Sequence, residues 1–217
     1  MKDKIFIFSG LGADQRVFQK LDFSGFDVTF VNWIIPFEKE TIEHYAARLL
    51  DQISGKNPIL VGLSFGGIMA VEVAKQIETK KIILIASAKT KDEIPFYFQI
   101  AGKLNLQKLL PTSLLKSSNF MTNWFFDASS SEDQQLLKQI LNDTNPIFLQ
   151  WALDKVANWT NSYQPKNIFQ IHGDRDRILP LQFIKADVVV KNGGHLMTLN
   201  KSEELTRILR NDLLIVR

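Results

Sequence analysis

The sequence predicts an α/β protein with a mostly parallel central sheet and helices on both of its faces. Two observations predict this class. Short runs of β-branched and other apolar residues recur along the chain, and helical patterns separate most of them. Continuous apolar runs are typical of strands covered on both faces, as in a parallel sheet. Their alternation with helices indicates a doubly wound arrangement.

The individual elements follow in chain order. The predicted strands are apolar runs at residues 5–8, 28–31, 59–62, 82–86, 168–171 and 188–190. The first predicted helix covers residues 41–53, with Thr41 as its N-cap and one apolar face. The second covers residues 64–77, where small residues allow close approach to the sheet. The last helix is predicted to open near Asn200, with Glu203 in the capping-box position.

Residues 89–165 interrupt this alternation. The segment has helical patterning, is rich in Phe, Leu and Trp, and is broken by Pro111 and by a serine turn at 129–131. It contains most of the tryptophans of the chain, namely Trp124, Trp151 and Trp159. Each of these could simply attach the segment to the core, since aromatic side chains usually serve packing, but as a group they favour an apolar pocket roof. We therefore predict one domain over residues 1–217, with a helical cap inserted at about 89–165.

Composition narrows the function classes. The 26 basic and 23 acidic residues are spread along the chain, so we expect no nucleic-acid partner. The absence of cysteine excludes disulfides, thiolate metal sites and a cysteine nucleophile. No apolar run approaches the roughly 18 residues that a membrane span needs, and we expect a soluble, cytoplasmic protein.

A candidate nucleophile lies in Gly62-Leu63-Ser64-Phe65-Gly66, which matches the pattern G-x-S-x-G. The pattern alone is moderate evidence, since it would occur by chance in roughly one chain in fifteen of this length. Its context is more specific, because it follows a predicted strand and precedes a predicted helix. A nucleophile in that position occupies a strained turn, and glycines on both sides make room for its backbone.

A serine nucleophile needs a base within hydrogen-bonding reach, and the base needs an orienting partner. The chain has three histidines. His44 lies within the first predicted helix, as a surface or half-buried residue, and His172 ends a predicted strand, where an imidazole usually satisfies backbone groups. His195 follows a glycine-rich loop after the last predicted strand, from where a base could reach the carboxyl edge of the sheet. His195 is the candidate base, and an ordinary loop histidine is the alternative.

The orienting acid has two candidates. Asp174 and Asp176 both follow the predicted strand at 168–171, and both could meet His195. Either could instead cap the loop or pair with a neighbouring arginine at the surface, an arrangement that is worth little energetically. The residues alone leave both open.

Together these residues resemble the α/β-hydrolase superfamily, in its small carboxylesterase-like branch of serine hydrolases, and the resemblance covers nearly the whole chain. In that family the chain order is Ser, then Asp or Glu, then His, which is the order of Ser64, Asp176 and His195. The family's G-x-x-D-x-x-x-P segment matches Gly173, Asp176 and Pro180. The resemblance therefore implies an α/β-hydrolase fold with Asp176 as the acid.

The resemblance also implies an oxyanion hole. In the family, His-Gly usually follows the first central strand, and the next N–H joins that of the residue after the nucleophile. Here Ser9-Gly10-Leu11 takes that place, so the implied donors are the backbone N–H groups of Leu11 and Phe65. Because both donors are backbone groups, the serine in place of histidine need not harm catalysis. A second departure is Trp33-Ile34-Ile35-Pro36, which replaces the usual Asp-x-x-Gly-type turn, and we expect a different pocket entrance.

These implications predict a serine hydrolase of the carboxylesterase class. We expect it to cleave a small or medium, largely apolar ester through an acyl-enzyme on Ser64, with no metal and no organic cofactor. The same three residues could also serve a thioesterase, a carbon–carbon bond hydrolase or a lyase. From another class, a non-catalytic ligand-binding receptor could keep the fold, because fold does not determine function.

Overall fold

The computed structural model describes residues 3–106 and 130–215. Its strands are β1 (Lys4–Phe8), β2 (Asp27–Val31), β3 (Ile59–Leu63), β4 (Lys81–Ile85), β5 (Ile168–Gly173) and β6 (Val188–Val190). They form one six-stranded sheet in the order β2-β1-β3-β4-β5-β6. Every neighbouring pair is parallel. The predicted strands and the predicted sheet type are therefore confirmed.

α-Helices follow β2, β3, β4 and β6, whereas short 3₁₀ turns follow β1 and β5. In the described ranges the α-helices are α1 (Ile42–Leu49), α2 (Phe65–Ala74), α3 (Phe96–Lys103), α4 (Ser131–Asp143), α5 (Pro146–Ala157), α6 (Met197–Asn200) and α7 (Ser202–Ile215). Thr41 caps α1 as predicted, because its hydroxyl accepts a 3.2 Å hydrogen bond from the N–H of His44. The rest of the predicted helix tightens into a 3₁₀ turn at Leu50–Gln52. None of these helices combines the length and apolar character that crossing a lipid bilayer requires.

The last helix begins close to its predicted start near Asn200, but Asn200 is not its N-cap. Asn200 ends the short helix α6, and α7 begins at Ser202, after a break at Lys201. The physical reason is the packing of the residues that precede the capping-box pattern in the sequence. Met197 is fully buried and anchors a separate helical turn directly after the candidate base, so the capping residue expected at position 200 belongs to that turn instead.

The core consists of two clusters, one on each face of the sheet. Along β1, Phe6 and Phe8 belong to one cluster and Ile5 and Ile7 to the other, as the two-residue period of a strand requires. The first cluster includes residues of α1, α2 and α5, and the second includes residues of α4, α6 and α7. Helices therefore cover both faces, as predicted for a doubly wound fold.

The described part of the predicted cap is helical, comprising α3, α4 and α5. Trp151 and Trp159 are buried, and their indole N–H groups donate to the carbonyl oxygen of Glu40 and the carboxylate of Glu72 at 2.9 and 2.8 Å. These two tryptophans thus attach the segment to the core. Trp124, predicted to share in a pocket roof, lies outside the described residues, and the assignment of 89–165 as a cap stays a prediction.

Candidate active site

Ser64 lies between the end of β3 and the first residue of α2, at φ 53° and ψ −122°. A residue with a side chain rarely adopts such a positive φ. The neighbouring glycines permit the turn. A Cβ on Gly62 would overlap the backbone of Gly66 and Gly67, and one on Gly66 would overlap the carbonyl oxygens that end β1. The G-x-S-x-G pattern is thus a steric requirement of this strand-to-helix turn.

His195 reaches Ser64 from the loop that follows β6. Its Nε2 lies 2.8 Å from Ser64 Oγ, and its Nδ1 lies 2.8 Å from Asp176 Oδ2. The imidazole is 2% exposed and the carboxylate is fully buried. The structure therefore brings together the candidate serine, the candidate histidine and the acid that the family resemblance implied.

Close packing of two loops sets this arrangement. The N–H of Arg175, in the loop after β5, donates a 2.9 Å hydrogen bond to the carbonyl oxygen of Gly193, in the loop after β6. A Cβ on Gly173 would overlap that same carbonyl group. Glycine at position 173 therefore lets the acid-bearing loop lie directly against the histidine-bearing loop.

Asp176 is held at both carboxylate oxygens. Oδ1 accepts hydrogen bonds from the N–H groups of Ile178 and Leu179, each at 2.9 Å, and Oδ2 faces His195. Burial acts to raise the pKa of Asp176, but the charge of His195 and the hydrogen bonds from His172 and His195 outweigh it and hold the pKa well below its usual range. The side chain is therefore an ionised, oriented acceptor. Asp174, the other candidate acid, is exposed.

The remaining histidines occupy other positions. His44 lies on α1 with its side chain 60% exposed, and its Nδ1 contacts Glu40 at 2.6 Å. His172 is buried at the end of β5, where its Nε2 lies 2.7 Å from the carbonyl oxygen of Leu179. Sequence reasoning gave His172 a backbone partner but did not place it beside Asp176, where it lies 3.3 Å from Oδ2. The available signal was the H-G-x-x-D spacing at a strand end.

The oxyanion-hole donors that the resemblance implies are two backbone N–H groups. One belongs to Leu11, far before the nucleophile in the sequence, and the other to Phe65, which directly follows it. Leu11 follows Gly10, whose Cβ, if present, would lie 3.5 Å from Ser64 Cβ. Phe65 is the first residue of α2, where an N–H has no partner within the helix. Among the hydrogen bonds of the described residues, none uses either N–H. Both are thus free to donate to a bound group.

Aromatic side chains pack around Phe65, the residue after the nucleophile. Trp33, in the loop that departs from the family pattern, stacks on Phe148 of α5 at 5.1 Å between ring centroids. Its ring is 5.4 Å from that of Phe65. These rings form an aromatic cluster that includes Phe65, the residue after the nucleophile. Within residues 3–106 and 130–215, no group of three or more His, Asp or Glu side chains could hold a metal ion.

Comparisons with solved structures show the same fold. A hydrolase from Oleispira antarctica superposes with a TM-score of 0.71 at 14% identity, over 99% of this chain and 92% of that chain. A thermophilic esterase from Thermogutta terrifontis gives 0.68 at 17% identity, over 100% and 91%. A bromoperoxidase from Bacillus anthracis gives 0.70 at 16% identity, over 99% and 92%. At these identities the likeness concerns the fold.

The sequence itself gives the family. A search of the curated proteins found no match. The family model described as "Alpha/beta hydrolase family" matches residues 10–208, which include the serine, the acid and the histidine described above. The chain belongs to the alpha/beta hydrolase family.

Proposed function

We propose that the protein is a serine hydrolase of the carboxylesterase type, which cleaves a small or medium, largely apolar ester through an acyl-enzyme on Ser64. One observation carries this proposal: an unbroken series of hydrogen bonds from Ser64 through His195 to Asp176, with both distances 2.8 Å. A nucleophile, a base and an orienting acid in this order form the arrangement that activates a serine hydroxyl. The esterase and bromoperoxidase neighbours share the fold, so the fold alone does not select the reaction.

In the acylation half-reaction, Ser64 Oγ attacks the carbonyl carbon of the ester while His195 Nε2 accepts the hydroxyl proton. Asp176 holds the Nδ1–H of the imidazole, so the Nε2 lone pair faces the serine. The free N–H groups at positions 11 and 65 donate to the developing oxyanion. The imidazolium then protonates the departing alkoxide, the carbon–oxygen bond breaks, and the alcohol leaves.

Deacylation repeats these roles with water. His195 accepts a proton from a water molecule, whose oxygen attacks the carbonyl carbon of the acyl-enzyme. The bond to Ser64 Oγ breaks, and the serine regains its proton from the imidazolium. The carboxylic acid product leaves, and the enzyme returns to its starting state.

The preference for an apolar substrate follows from the surroundings of the nucleophile. Trp33, Phe65 and Phe148 form a contiguous aromatic cluster beside the elbow. Because Phe148 belongs to α5, the inserted segment contributes to this surface. Our proposal therefore includes a cap formed by residues 89–165 within a single domain, with apolar side chains facing the acyl or alcohol group.

The direct test is hydrolysis of p-nitrophenyl acetate and p-nitrophenyl butyrate by the wild type and by Ser64→Ala. We expect turnover by the wild type and loss of that turnover in the variant, because the nucleophilic oxygen is gone. Ser54→Ala, at an exposed serine, is the matched control and should keep the wild-type rate. An unchanged rate in Ser64→Ala would remove the serine from the mechanism.

A second experiment distinguishes ester hydrolysis from the alternative functions of the same three residues. Esters, acyl-CoA thioesters and vinylogous diketones are compared by kcat/KM, and we expect esters to be preferred by several decades. A fluorophosphonate probe should label the wild type at Ser64. A receptor without an activated serine would stay unlabelled, and a preference for thioesters or diketones would replace the carboxylesterase assignment.

A further inference from the structure

His172 lies beside Asp176, the acid of the triad. Its side chain is fully buried at the end of β5, and its Nε2 lies 2.7 Å from the carbonyl oxygen of Leu179 and 3.3 Å from Asp176 Oδ2. Among the described residues its Nδ1 has no hydrogen-bond partner. A buried polar atom without a partner is uncommon and calls for an explanation.

The proton positions follow from the neighbours. A carbonyl oxygen can only accept, so the contact with Leu179 requires a proton on Nε2 of His172. If Nδ1 also carried a proton, it would be a buried donor without an acceptor, which is costly. The neutral form with its proton on Nε2 fits both atoms, and that N–H faces the carbonyl oxygen and the carboxylate together.

Asp176 is therefore surrounded by donors. Its Oδ1 accepts from the N–H groups of Ile178 and Leu179, and its Oδ2 contacts the imidazoles of His195 and His172 at 2.8 and 3.3 Å. With the backbone donors on one oxygen and two ring nitrogens at the other, the carboxylate has little freedom to rotate. The hydrogen bonds from both imidazoles also lower the pKa of Asp176, against the effect of burial.

We propose that His172 is a positioning residue of the active site, which acts through Asp176 by donating from Nε2 to the carboxylate that orients His195. This inference rests on the proposed function. His172 contacts Asp176 and is closed to solvent, so it does not touch substrate. Its loss should therefore lower kcat and leave KM nearly unchanged.

The experiment compares substitutions that differ in the donor. His172→Phe keeps the ring and removes the donor. His172→Gln can place an amide N–H near the position of Nε2, whereas His172→Asn is polar but one methylene too short to do so. With p-nitrophenyl butyrate we expect kcat of the Phe and Asn variants to fall by about tenfold or more, since misplacement by about 1 Å can cost about 10²-fold. The Gln variant should recover most of the loss.

A matched control separates this role from general weakening of β5. Ile171→Ala removes buried volume from the opposite face of the same strand, because side chains alternate across a sheet. We expect this variant to keep the wild-type kcat. A loss of kcat in Ile171→Ala as large as in His172→Phe, or no rescue by Gln relative to Asn, would overturn the positioning role.

A spectroscopic measurement keeps the inference separate from the proposed function. The Nδ1–H of His195 should give a downfield proton resonance in ¹⁵N-edited NMR spectra, because it donates to a buried carboxylate. We expect this resonance to move in His172→Asn and to return towards its wild-type position in His172→Gln. An unmoved resonance would contradict the proposal. If the wild type neither hydrolyses esters nor reacts with the fluorophosphonate, the proposed function is wrong, and the resonance still decides the role of His172.

Discussion

The hydroxyl of Ser87 donates a 2.6 Å hydrogen bond to the carbonyl oxygen of Ser64. Ser87 lies two residues after the end of β4, and the N–H of Ser64 donates to the carbonyl oxygen of Ile85, the last residue of that strand, at 2.9 Å. Both backbone groups of the nucleophile are thus tied to the end of β4 and the loop that follows it. Because Ser64 has a φ of 53°, a conformation that persists only where the surroundings enforce it, we infer that β4 holds the turn in its strained form.

Ser87→Ala tests this inference. The substitution removes the hydroxyl donor of the Ser64 carbonyl oxygen, which still accepts from the N–H of Gly67 at 2.9 Å. We therefore expect the free energy of unfolding to fall by about 0.5–1.5 kcal/mol. We also expect kcat for p-nitrophenyl butyrate to fall by about tenfold, because the nucleophile is less well placed. Urea unfolding and steady-state kinetics measure the two effects.

Thr144→Val is the control for Ser87→Ala. It removes a hydroxyl that donates to the carbonyl oxygen of Ile140 at 2.8 Å, at the end of α4. It should lower stability without changing kcat. If both variants have the wild-type kcat, the Ser87 hydroxyl has no part in placing the nucleophile.

Gly66→Ala should disrupt the elbow more severely. The added Cβ would overlap the carbonyl oxygens of Phe8 and Ser9, which are backbone atoms and cannot rotate away. Overpacking of this kind costs typically about 1–3 kcal/mol and occasionally more, and it displaces the turn that bears Leu11. We expect a lower melting temperature and loss of esterase activity. Gly25→Ala is the control: no atom lies within 4 Å of the added Cβ, although the φ of 87° makes a side chain there strained. It should lower stability and keep the wild-type esterase activity; equal loss of activity in both variants would mean that the overlap is not the cause.

The sequence could predict the sheet and the nucleophile because both depend on local features. Buried parallel strands leave apolar runs, and the elbow leaves glycines at fixed spacing. The periodicity of the sequence could not decide between Asp174 and Asp176, because both residues follow the same strand. In the structure the N–H groups of Ile178 and Leu179 turn Asp176 inward, while Asp174 is exposed.

Other structural features left no recognisable pattern in the sequence. Ser87 contacts a backbone carbonyl oxygen of another strand-end loop, and any sequence could supply such a group. His172 was correctly predicted to satisfy the backbone, but its second neighbour, Asp176, depends on how the loop folds back over β5. The capping-box pattern at Asn200 was misleading because burial of Met197 determines the preceding turn.

Asp176→Asn should change how stability depends on pH. The carboxyl has a folded-state pKa below its ordinary value of 3.8. A lowered pKa means that Asp176 stabilises the fold above about pH 4, and that this contribution is lost as the pH falls further. The Asn variant lacks it at every pH. We therefore expect the wild type to be more stable near pH 7, and the difference in free energy of unfolding to shrink below pH 4.

Urea unfolding at several pH values between 7 and 3 measures this difference. Asp27→Asn, at an exposed carboxylate on β2, should differ from the wild type by a small amount at pH 7. A gap between the wild type and Asp176→Asn that stays constant down to pH 3 would contradict the coupling between the carboxylate and its imidazole neighbours. At neutral pH the Asn variant should also lose esterase activity by about 10³-fold or more, because His195 loses its orienting acceptor.

The loop after β2 offers a test of the aromatic pocket wall. The hydroxyl of Tyr45, which is fully buried, donates to the carbonyl oxygen of Ile34 at 2.8 Å and accepts from its N–H at 3.0 Å. This one hydroxyl satisfies both backbone groups of the residue next to Trp33. Tyr45→Phe leaves them unpaired, and we expect the free energy of unfolding to fall by about 1–3 kcal/mol.

Tyr45→Phe should also affect KM and kcat differently. Trp33 stacks on Phe148 and contacts Phe65, the residue after the nucleophile. A looser loop should therefore raise KM for p-nitrophenyl butyrate more than for the acetate. The value of kcat should change little, because the serine, histidine and acid lie on other loops. Tyr163→Phe is the control, since Tyr163 is 52% exposed and its change should affect neither stability nor KM. If Tyr45→Phe is destabilised but keeps the wild-type KM for both esters, Trp33 does not line the acyl pocket, and the apolar wall must be sought on another element.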